Sequence, residues 1–425
     1  MSPGLPTYDE AAAQIANHAA RLRWPQPLAE CLPLSSAAGR VLAQPLRADR
    51  DQPPFARSTR DGFACRAAEA SAHTPLNLAG ATRAGEAPAG PLPKGAAWEI
   101  MTGAPVPAGA NAVMMLEHVQ AAGGKVRLLP PRKLKKGENI VAQGAQAQEG
   151  EELLSVGTAI HSAQIALAAA CGYASLQVFL RPRVAILATG DELVSIESLP
   201  APGQIRNSNA PMLAAMVAAA GGEPWVLPAV EDNATALDAA LAQAADADLL
   251  ILSGGVSAGK FDLVEPALAR AGARFHFTGV RIQPGKPLVF GELPSRQKAK
   301  SPARGKLRTL PLFGLPGNPM SSAVTFLLFA VPVLAALAGS RESGPRFALA
   351  RLSKATDKHS KPGLTRFLPA SCTFCAAAGK LPEVALVPWQ GSGDIAALAR
   401  SNCFLAVPEE TSTLEAGAIV RILLS

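Results

Sequence analysis

From about residue 178 to 340 the chain alternates short apolar runs of strand length with longer runs of helical character. Arg183 to Ala188 (RVAILA), Pro224 to Val230, Asp248 to Leu252 (DLLIL) and Leu310 to Phe313 are apolar runs of strand length bounded by turn residues, so they read as strands. Between them, Asn209 to Ala220, Ala234 to Ala245 and a run from about Asp262 to Ala271 read as helices. The first has Pro211 in its opening turn and Gly221 and Gly222 behind it, a start and stop that suit helix ends. Buried strands alternating with helices predict a parallel, doubly wound sheet. Ligands in such sheets bind outside the carboxyl ends of the strands, and here those ends carry TGDEL, VEDN, SGGVSAGKFD and GLPGNP.

The pattern differs on either side. Residues 47–144 are dense in turn signals (DQPP, AGATRAGEAPAG, GAPVPAG), with short apolar runs such as Ala112 to Leu116 and Val126 to Leu129 between them, which predicts a small all-β unit. Tyr8 to Ala20, Pro33 to Val41 and Ser162 to Ala170 read as helical, so the β unit is expected as an insertion in an elongated helical segment. After Gly339 the helical period stops. Phe347 to Leu352, Phe367 to Ala370, Val384 to Val387, Cys403 to Val407 and Ile419 to Leu424 predict a small terminal β-barrel. The expected organisation is a multidomain α/β plus β chain: a helical or linker domain from residues 1–46 and 145–177, an inserted β-roll domain at 47–144, an α/β domain at 178–342 and a barrel at 343–425.

Composition narrows the class. A chain of 425 residues with 48% hydrophobic and 17% charged residues is too apolar and too weakly charged for disorder. No cationic start and apolar core of a secretory signal is visible, and the apolar stretch Phe326 to Gly339 contains Pro332 and falls short of the roughly 20 residues of a membrane span. The expectation is a soluble cytoplasmic protein with no membrane partner. Six cysteines are too few for a disulfide framework, and the CxxC of Cys372 and Cys375 has no second pair, so it reads as structural. The net charge of +7 is local. Pro294 to Arg308 holds six basic residues (Arg296, Lys298, Lys300, Arg304, Lys306, Arg308) and no acid, and without those six the balance falls to +1. PRKLKK at Pro131 to Lys136 adds four more. No aromatic platform or recognition motif accompanies the charge, so nucleic acid is not expected as a partner.

Several segments carry chemistry. Gly254 to Lys260 (GGVSAGK) fits the skeleton of a nucleotide phosphate loop, but the next residue is Phe261, where a Ser or Thr must hold magnesium. A glycine turn that offers backbone N–H groups to another oxyanion remains. Asp191 and Glu192 after the first strand would by themselves suit a helix cap as well as a site. With Asp232 and Asp262 at other strand ends, beside Lys286 of QPGKP, they suit a divalent cation with a bound pyrophosphate. GLPGNP, followed by Ser321 and Ser322, is a rigid turn into a helix or an oxyanion cradle.

Seven ordered motifs stand together: RSTRDGFA (Arg57 to Ala64), MTGAPVPAGANAV (Met101 to Val113), ILATGDELV (Ile186 to Val194), GQIRNSN (Gly203 to Asn209), SGGVSAGKFD (Ser253 to Asp262), QPGKP (Gln283 to Pro287) and FGLPGNPMS (Phe313 to Ser321). In that order they resemble the MoeA family, the molybdopterin molybdenumtransferases, whose eukaryotic relatives include the E domain of gephyrin. The resemblance implies a MogA-like α/β domain and insertion of molybdate into adenylylated molybdopterin, with Mg2+-dependent phosphoanhydride cleavage and release of AMP. It implies a homodimer whose active site lies between the α/β domain of one subunit and the β domain of the other, and transient contact with the molybdopterin adenylyltransferase.

Residue by residue, the resemblance places Asp61 and Thr102 against the pterin from the β domain. Asp191, Glu192, Asp232 and Asp262 would line the pyrophosphate and metal region, and Lys286 would meet phosphate or molybdate. Asn207, Ser208 and Asn209, then Ser253, Gly254, Gly255 and Ser257, would bind substrate. Pro316, Gly317, Asn318, Pro319 and Ser321 would shape the anion loop. The chain departs from the family pattern at Arg57, Arg60, Asn111 and Lys260, and at Ala145 and Gln146, where the family usually has Glu-Asp. That loss raises a second expectation, a molybdopterin-binding or scaffold homologue with reduced catalysis. A third, adenylyl transfer onto molybdopterin, shares the α/β module but not the accompanying β domain and barrel.

Overall fold

The computed structural model describes the chain except residues 1–3, 23–27, 256–262, 295–308, 343, 357–362 and 374–380. Two compact units result: Met1–Ala43 with Gly157–His161 and Ser175–Ser425, and Gln44–Val156 with Ser162–Ala174.

The first unit is built on a six-stranded sheet in the order Glu223–Val226, Arg183–Ala188, Leu249–Ser253, Thr309–Leu315, Val289–Pro294, Arg274–Phe277. The first four strands are parallel, as the strand and helix alternation predicts, and Val289–Pro294 runs antiparallel to both its neighbours. The last two strands were not foreseen in the sequence. No helix separates Arg274–Phe277, Val289–Pro294 and Thr309–Leu315 among the described residues, and strands joined without a crossover helix pair antiparallel.

Side chains alternate between the faces of this sheet. Val184, Ile186, Leu249 and Ile251 enter a core with the helices Tyr8–Leu22 and Asn209–Ala219. Ala185, Leu187, Leu250 and Leu252 enter a second core with Leu237, Leu241, Val264 and Leu268 of two further helices. Both faces are covered, which explains why the strands are apolar throughout rather than alternating with polar residues. Phe290 and Phe313 stack on neighbouring strands with centroids 4.9 Å apart, and Tyr8 meets Phe329 at 6.0 Å and Phe367 at 5.5 Å. Phe367 belongs to the terminal barrel, so the N-terminal helix, the sheet and the barrel share one core.

The apolar stretch around Pro332 is longer than the sequence suggests. Helix runs from Pro319 to Leu337, 19 residues that satisfy the length and hydropathy of a membrane span, with 83% of the apolar window buried inside the protein. Pro332 does not end the helix. It has no N–H and its ring crowds the preceding turn; Phe326–Ala330 widens there into a π-turn, with the Val331 N–H donating to the Phe326 carbonyl. Pro33 to Val41, by contrast, is not helical. It contains only a 3-10 turn at Leu34–Ser36, because Ala29–Pro33 pairs antiparallel with Ser175–Phe179 and Leu42 donates to Thr158.

The terminal strands Phe347–Leu352, Thr365–Thr373, Glu383–Leu386, Cys403–Val407 and Ile419–Leu424 close a five-stranded barrel through the pairing of Thr365–Thr373 with Cys403–Val407. Cys372 and Cys403 fill its core, and burial pushes the Cys403 thiol up to about 12, so it is an inert packing group. Cys372 is likewise a free, buried thiol; its CxxC partner Cys375 lies outside the described residues.

The second unit contains a mixed six-stranded sheet ordered Ala112–Met115, Gly62–Cys65, Ala96–Ile100, Leu76–Thr82, Lys125–Leu128, Val119–Ala122. Phe63 and Cys65 face one core, Ala64 and Trp98 the other. Two glycines are obligatory here. A Cβ on Gly62 would lie 1.8 Å from the Met114 carbonyl oxygen, and one on Gly80 would lie 2.6 Å from the Trp98 ring.

Truncating Phe313 to Ala is expected to cost about 3–5 kcal/mol by denaturant unfolding, since its ring is fully buried in the shared core. Gly62→Ala is expected to cost about 1–3 kcal/mol or more, because the collision is with backbone that has no rotamer to yield; an unchanged midpoint would refute it.

Candidate active site

Four parallel strands bring their carboxyl ends to one rim of the first unit. Their loops are tied to each other by backbone bonds. The Thr189 N–H donates to the Ser253 carbonyl at 3.0 Å, the Gly190 N–H to Val230 at 3.2 Å, and the Gly254 N–H to Leu315 at 3.2 Å. Approach this close requires glycine. A Cβ on Gly254 (φ 94°) would stand 2.5 Å from the Thr189 carbonyl oxygen, and one on Gly255 (φ 62°) 2.6 Å from Val264 Cγ2. The residues 256–262, including Ser257, Lys260 and Asp262, lie outside the described residues.

Asp191, Glu192 and Asp232 are exposed on this rim. Asp191 and Glu192 sit in a turn and not at a helix start, so they are not caps. Asn233 caps the Ala234–Gln243 helix instead, its side chain accepting from the Ala236 N–H. The Asp191 carboxylate accepts from the Asp232 N–H at 2.8 Å. Glu192 folds back over Gly190, where any Cβ would collide with its carboxylate at 2.6 Å. Burial, then the charges of Asp191 and Glu192, push the Asp232 carboxyl above its ordinary value. The three acids therefore feel one another, and oxygen-only donors at a surface rim suit a hard cation such as Mg2+.

Asn209 links two motifs. Its Nδ2 donates to Ser253 Oγ at 2.8 Å and to the Gly317 carbonyl at 2.6 Å; a carbonyl only accepts, which settles the amide orientation. Asn209 Oδ1 and Thr189 Oγ1 are buried and have no partner among the described residues. Buried polar atoms left open cost about 1–3 kcal/mol each, so such positions are expected where a ligand completes them. Asn207 accepts from the Ala210 N–H, and half-buried Ser208 precedes the Asn209–Ala219 helix without a side-chain capping bond.

GLPGNP begins the long helix with Pro319 in its first turn, as its composition predicts. Gly317 and Asn318 are exposed, Asn318 Nδ2 donates to Ser392 Oγ at 2.8 Å, and Ser322 Oγ donates to the carbonyl of buried Pro316. Ser321 is buried at 4% exposure, so it supports the loop from below. Lys286 is exposed on a turn whose Gly285 (φ 110°) lies against Thr325 of the same helix; a Cβ there would stand 2.4 Å from Thr325 Cγ2.

In the second unit the motifs RSTRDGFA and MTGAPVPAG meet. Asp61 Oδ1 accepts from the Thr102 N–H at 2.6 Å and from Thr102 Oγ1 at 2.8 Å, and the Gly103 N–H donates to the Ser58 carbonyl. The Thr102 amide, then its hydroxyl, hold the Asp61 carboxyl below its ordinary value. Asn111 accepts from the Ala67 N–H at 2.8 Å, an acceptor role that amide and carboxylate fill equally. Near Ala145 and Gln146 the structure reveals a carboxylate that sequence reasoning passed over. Asp51 accepts from Gln143 Nε2 at 3.0 Å and from the Glu149 N–H at 3.1 Å, around the turn at Gly144. Its sequence signal was only its place in the turn-rich DQPP.

A doubly covered α/β sheet with an acidic, glycine-lined rim, joined to a closed barrel and accompanied by a β unit, defines a multidomain α/β plus β protein with a candidate ligand site at its strand ends. Residues 6–172 match "MoeA N-terminal region (domain I and II)", residues 185–336 "Probable molybdopterin binding domain" and residues 351–425 "MoeA C-terminal region (domain IV)". The chain is 38% identical over 345 residues to a molybdopterin molybdenumtransferase of Nostoc sp., spanning 79% of this chain and 75% of that one. It is 35% identical to that of Bacillus subtilis over 406 residues, 93% and 89% of the two chains. The crystal structure of a molybdopterin biosynthesis MoeA protein from Pyrococcus horikoshii superposes with a TM-score of 0.77 at 27% identity, covering 99% of this chain and all of that one. The chain belongs to the MoeA family of molybdopterin molybdenumtransferases, enzymes of molybdenum cofactor biosynthesis.

The depressed Asp61 titration has a definite sign. The ionised carboxylate stabilises the fold above 3.8, and that contribution is lost as pH falls through the lowered value. Thr102→Val removes the hydroxyl bond and keeps the amide, so Asp61 should titrate between its native value and 3.8 in a carboxylate-detected NMR titration. An unmoved midpoint would show that the hydroxyl contributes nothing.

Proposed function

We propose that the protein inserts molybdate into the dithiolene of adenylylated molybdopterin, with Mg2+-dependent cleavage of the phosphoanhydride and release of AMP. The observation that carries this reading is the meeting of Asp191, Glu192 and Asp232, together with buried polar atoms of Asn209 and Thr189 that have no partner among the described residues. Bound magnesium would neutralise phosphate charge, with Asp191, Glu192, Asp232 and Asp262 as its candidate ligands. Gly254, Gly255 and Gly317 leave backbone exposed beside the phosphates, and Asn207, Ser208, Ser253 and Ser257 add polar contacts. Lys286 supplies positive charge to phosphate or molybdate, and the prolines 316 and 319 hold the Asn318 loop rigid. Cleavage of an anhydride asks chiefly for positioning and charge neutralisation, which this set provides without a nucleophile.

In this reading the four regions at 1–46 with 145–177, 47–144, 178–342 and 343–425 act as domains of a cytoplasmic homodimer. Asp61 and Thr102 of one copy face the pterin held by the other, and the substrate arrives by transient contact with the molybdopterin adenylyltransferase. A second reading rests on Ala145 and Gln146: the protein binds the adenylylated pterin with reduced turnover.

Incubation with adenylylated molybdopterin, Mg2+ and molybdate should yield AMP and active cofactor; AMP release no greater than that of an Asp262→Ala control would overturn the insertase reading, and tight pterin binding without turnover would favour the second. Asp232→Asn should lower turnover about tenfold or more while slightly raising the thermal midpoint at pH 7. The sign follows from its raised carboxyl, whose stabilising contribution is present below 3.8 and lost as pH rises through the folded value. Mixing Asp61→Ala with Asp232→Ala protein should restore part of the activity, since a mixed dimer holds one intact site; no recovery despite mixed dimers would count against the shared site.

A further inference from the structure

A second cluster of ligating side chains uses no residue of the seven motifs. His18 of the Tyr8–Leu22 helix, His276 of the Arg274–Phe277 strand and Glu292 of the Val289–Pro294 strand come together at the sheet edge, with one ligand atom from each within 4.8 Å of the others. His18 is buried to 3% exposure, and the Nε2 atoms of both histidines are buried without a hydrogen-bond partner among the described residues. Both nonetheless face the Glu292 carboxylate, at 3.4 Å from His18 Nε2 to Oε1 and 3.6 Å from His276 Nε2 to Oε2.

These separations are longer than the 2.7–3.2 Å or so of an N–H···O bond. They run to different oxygens of Glu292; with one ligand atom from each residue the three lie within 4.8 Å of one another, a spacing that small side-chain adjustments bring to the roughly 3.4 Å of a tetrahedral ion with bonds near 2.1 Å. In the tautomer that turns an Nε2 lone pair toward Glu292, each imidazole and the carboxylate can donate to a cation set between them.

The backbone supports the cluster. Phe275 pairs with Gly291 and Phe277 with Phe290, so two residue steps on one strand oppose one on the other, and His276 is the extra residue of a β-bulge. Bulges re-aim side chains and recur beside functional sites. Gly291 permits the close approach, since a Cβ there would stand 2.7 Å from the Arg274 carbonyl oxygen. Thr309 Oγ1 donates to Glu292 Oε1 at 3.1 Å and holds the carboxylate, the outer contact that orients a metal ligand. Phe290 stacks on His276 and meets His18 edge-on, which fixes both rings. Burial keeps both imidazoles below the ordinary histidine value against the pull of Glu292.

We propose that His18, His276 and Glu292 bind one first-row divalent transition ion, of which Zn2+ is the representative, and that this ion ties the N-terminal helix to the sheet edge. Two imidazoles and one carboxylate are borderline donors that suit Zn2+, Co2+ or Ni2+ and not Mg2+, which requires oxygen. A water completes the coordination.

The test uses the full-length protein stripped with a chelator and titrated with Zn2+ against a chromophoric indicator. One Zn2+ per chain is expected, with a rise in thermal midpoint, and Co2+ should give the ligand-field bands of a nitrogen and oxygen site. His276→Gln and Glu292→Gln should each weaken Zn2+ binding at least about tenfold and abolish the Co2+ bands; His18→Gln is judged with them only if its circular dichroism is native. Absence of stoichiometric uptake, or affinity unchanged in a folded His276→Gln protein, would overturn the proposal. Uptake that survives His276→Gln but is lost in Asp232→Asn would place the ion on the acidic rim and overturn it equally.

Discussion

Backbone contact between neighbouring loops is the constraint on which the rim depends. Thr189, Gly254 and Leu315 meet through main-chain groups, with a carbonyl where any Cβ at Gly254 would have to lie. Because the strands are parallel, their carboxyl ends arrive together and their loops must share one surface. Glycine at 190, 254 and 255 lets them share it, and the exposed side chains that remain are acidic. Asn209 and Thr189 each keep one buried polar atom without a partner among the described residues.

Electrostatics separates the two acidic features of the chain. Asp61 is held ionised by a neighbour that offers two hydrogens, whereas Asp232 is pushed toward its neutral form by burial and by two like charges. A carboxylate satisfied by its own fold serves as a fixed acceptor that positions Thr102. A carboxylate kept in repulsion is one that a cation relieves. The cluster at His18, His276 and Glu292 is of neither kind: two buried or half-buried imidazoles face one carboxylate at 3.4 and 3.6 Å.

Much of the fold was legible because local composition and local structure agree. Arg183–Ala188, Cys403–Val407 and Ile419–Leu424 are strands to the residue, and Tyr8 and Asn209 begin helices where the sequence predicts. The misreadings share a cause. Pro33 to Val41 has residues acceptable in a helix, yet Ala29–Pro33 finds a strand partner far along the chain at Ser175–Phe179. Pro332 is a helix breaker by propensity, but buried neighbours on both sides hold the helix together through a π-turn. The strands at Arg274–Phe277 and Val289–Pro294 are short runs that only their pairing distinguishes from loop.

Sequence alone determined the alternation of strands and helices and the order of motifs that marks the family, because each is written in residues close together in the chain. Tertiary structure decided which distant residues meet: Asn209 with Ser253 and Gly317, Asp61 with Thr102, Asp51 with the Gly144 turn, and His18 with His276 and Glu292. Such meetings are selected by burial of one shared core across helix, sheet and barrel, a free energy that no local window of the sequence contains.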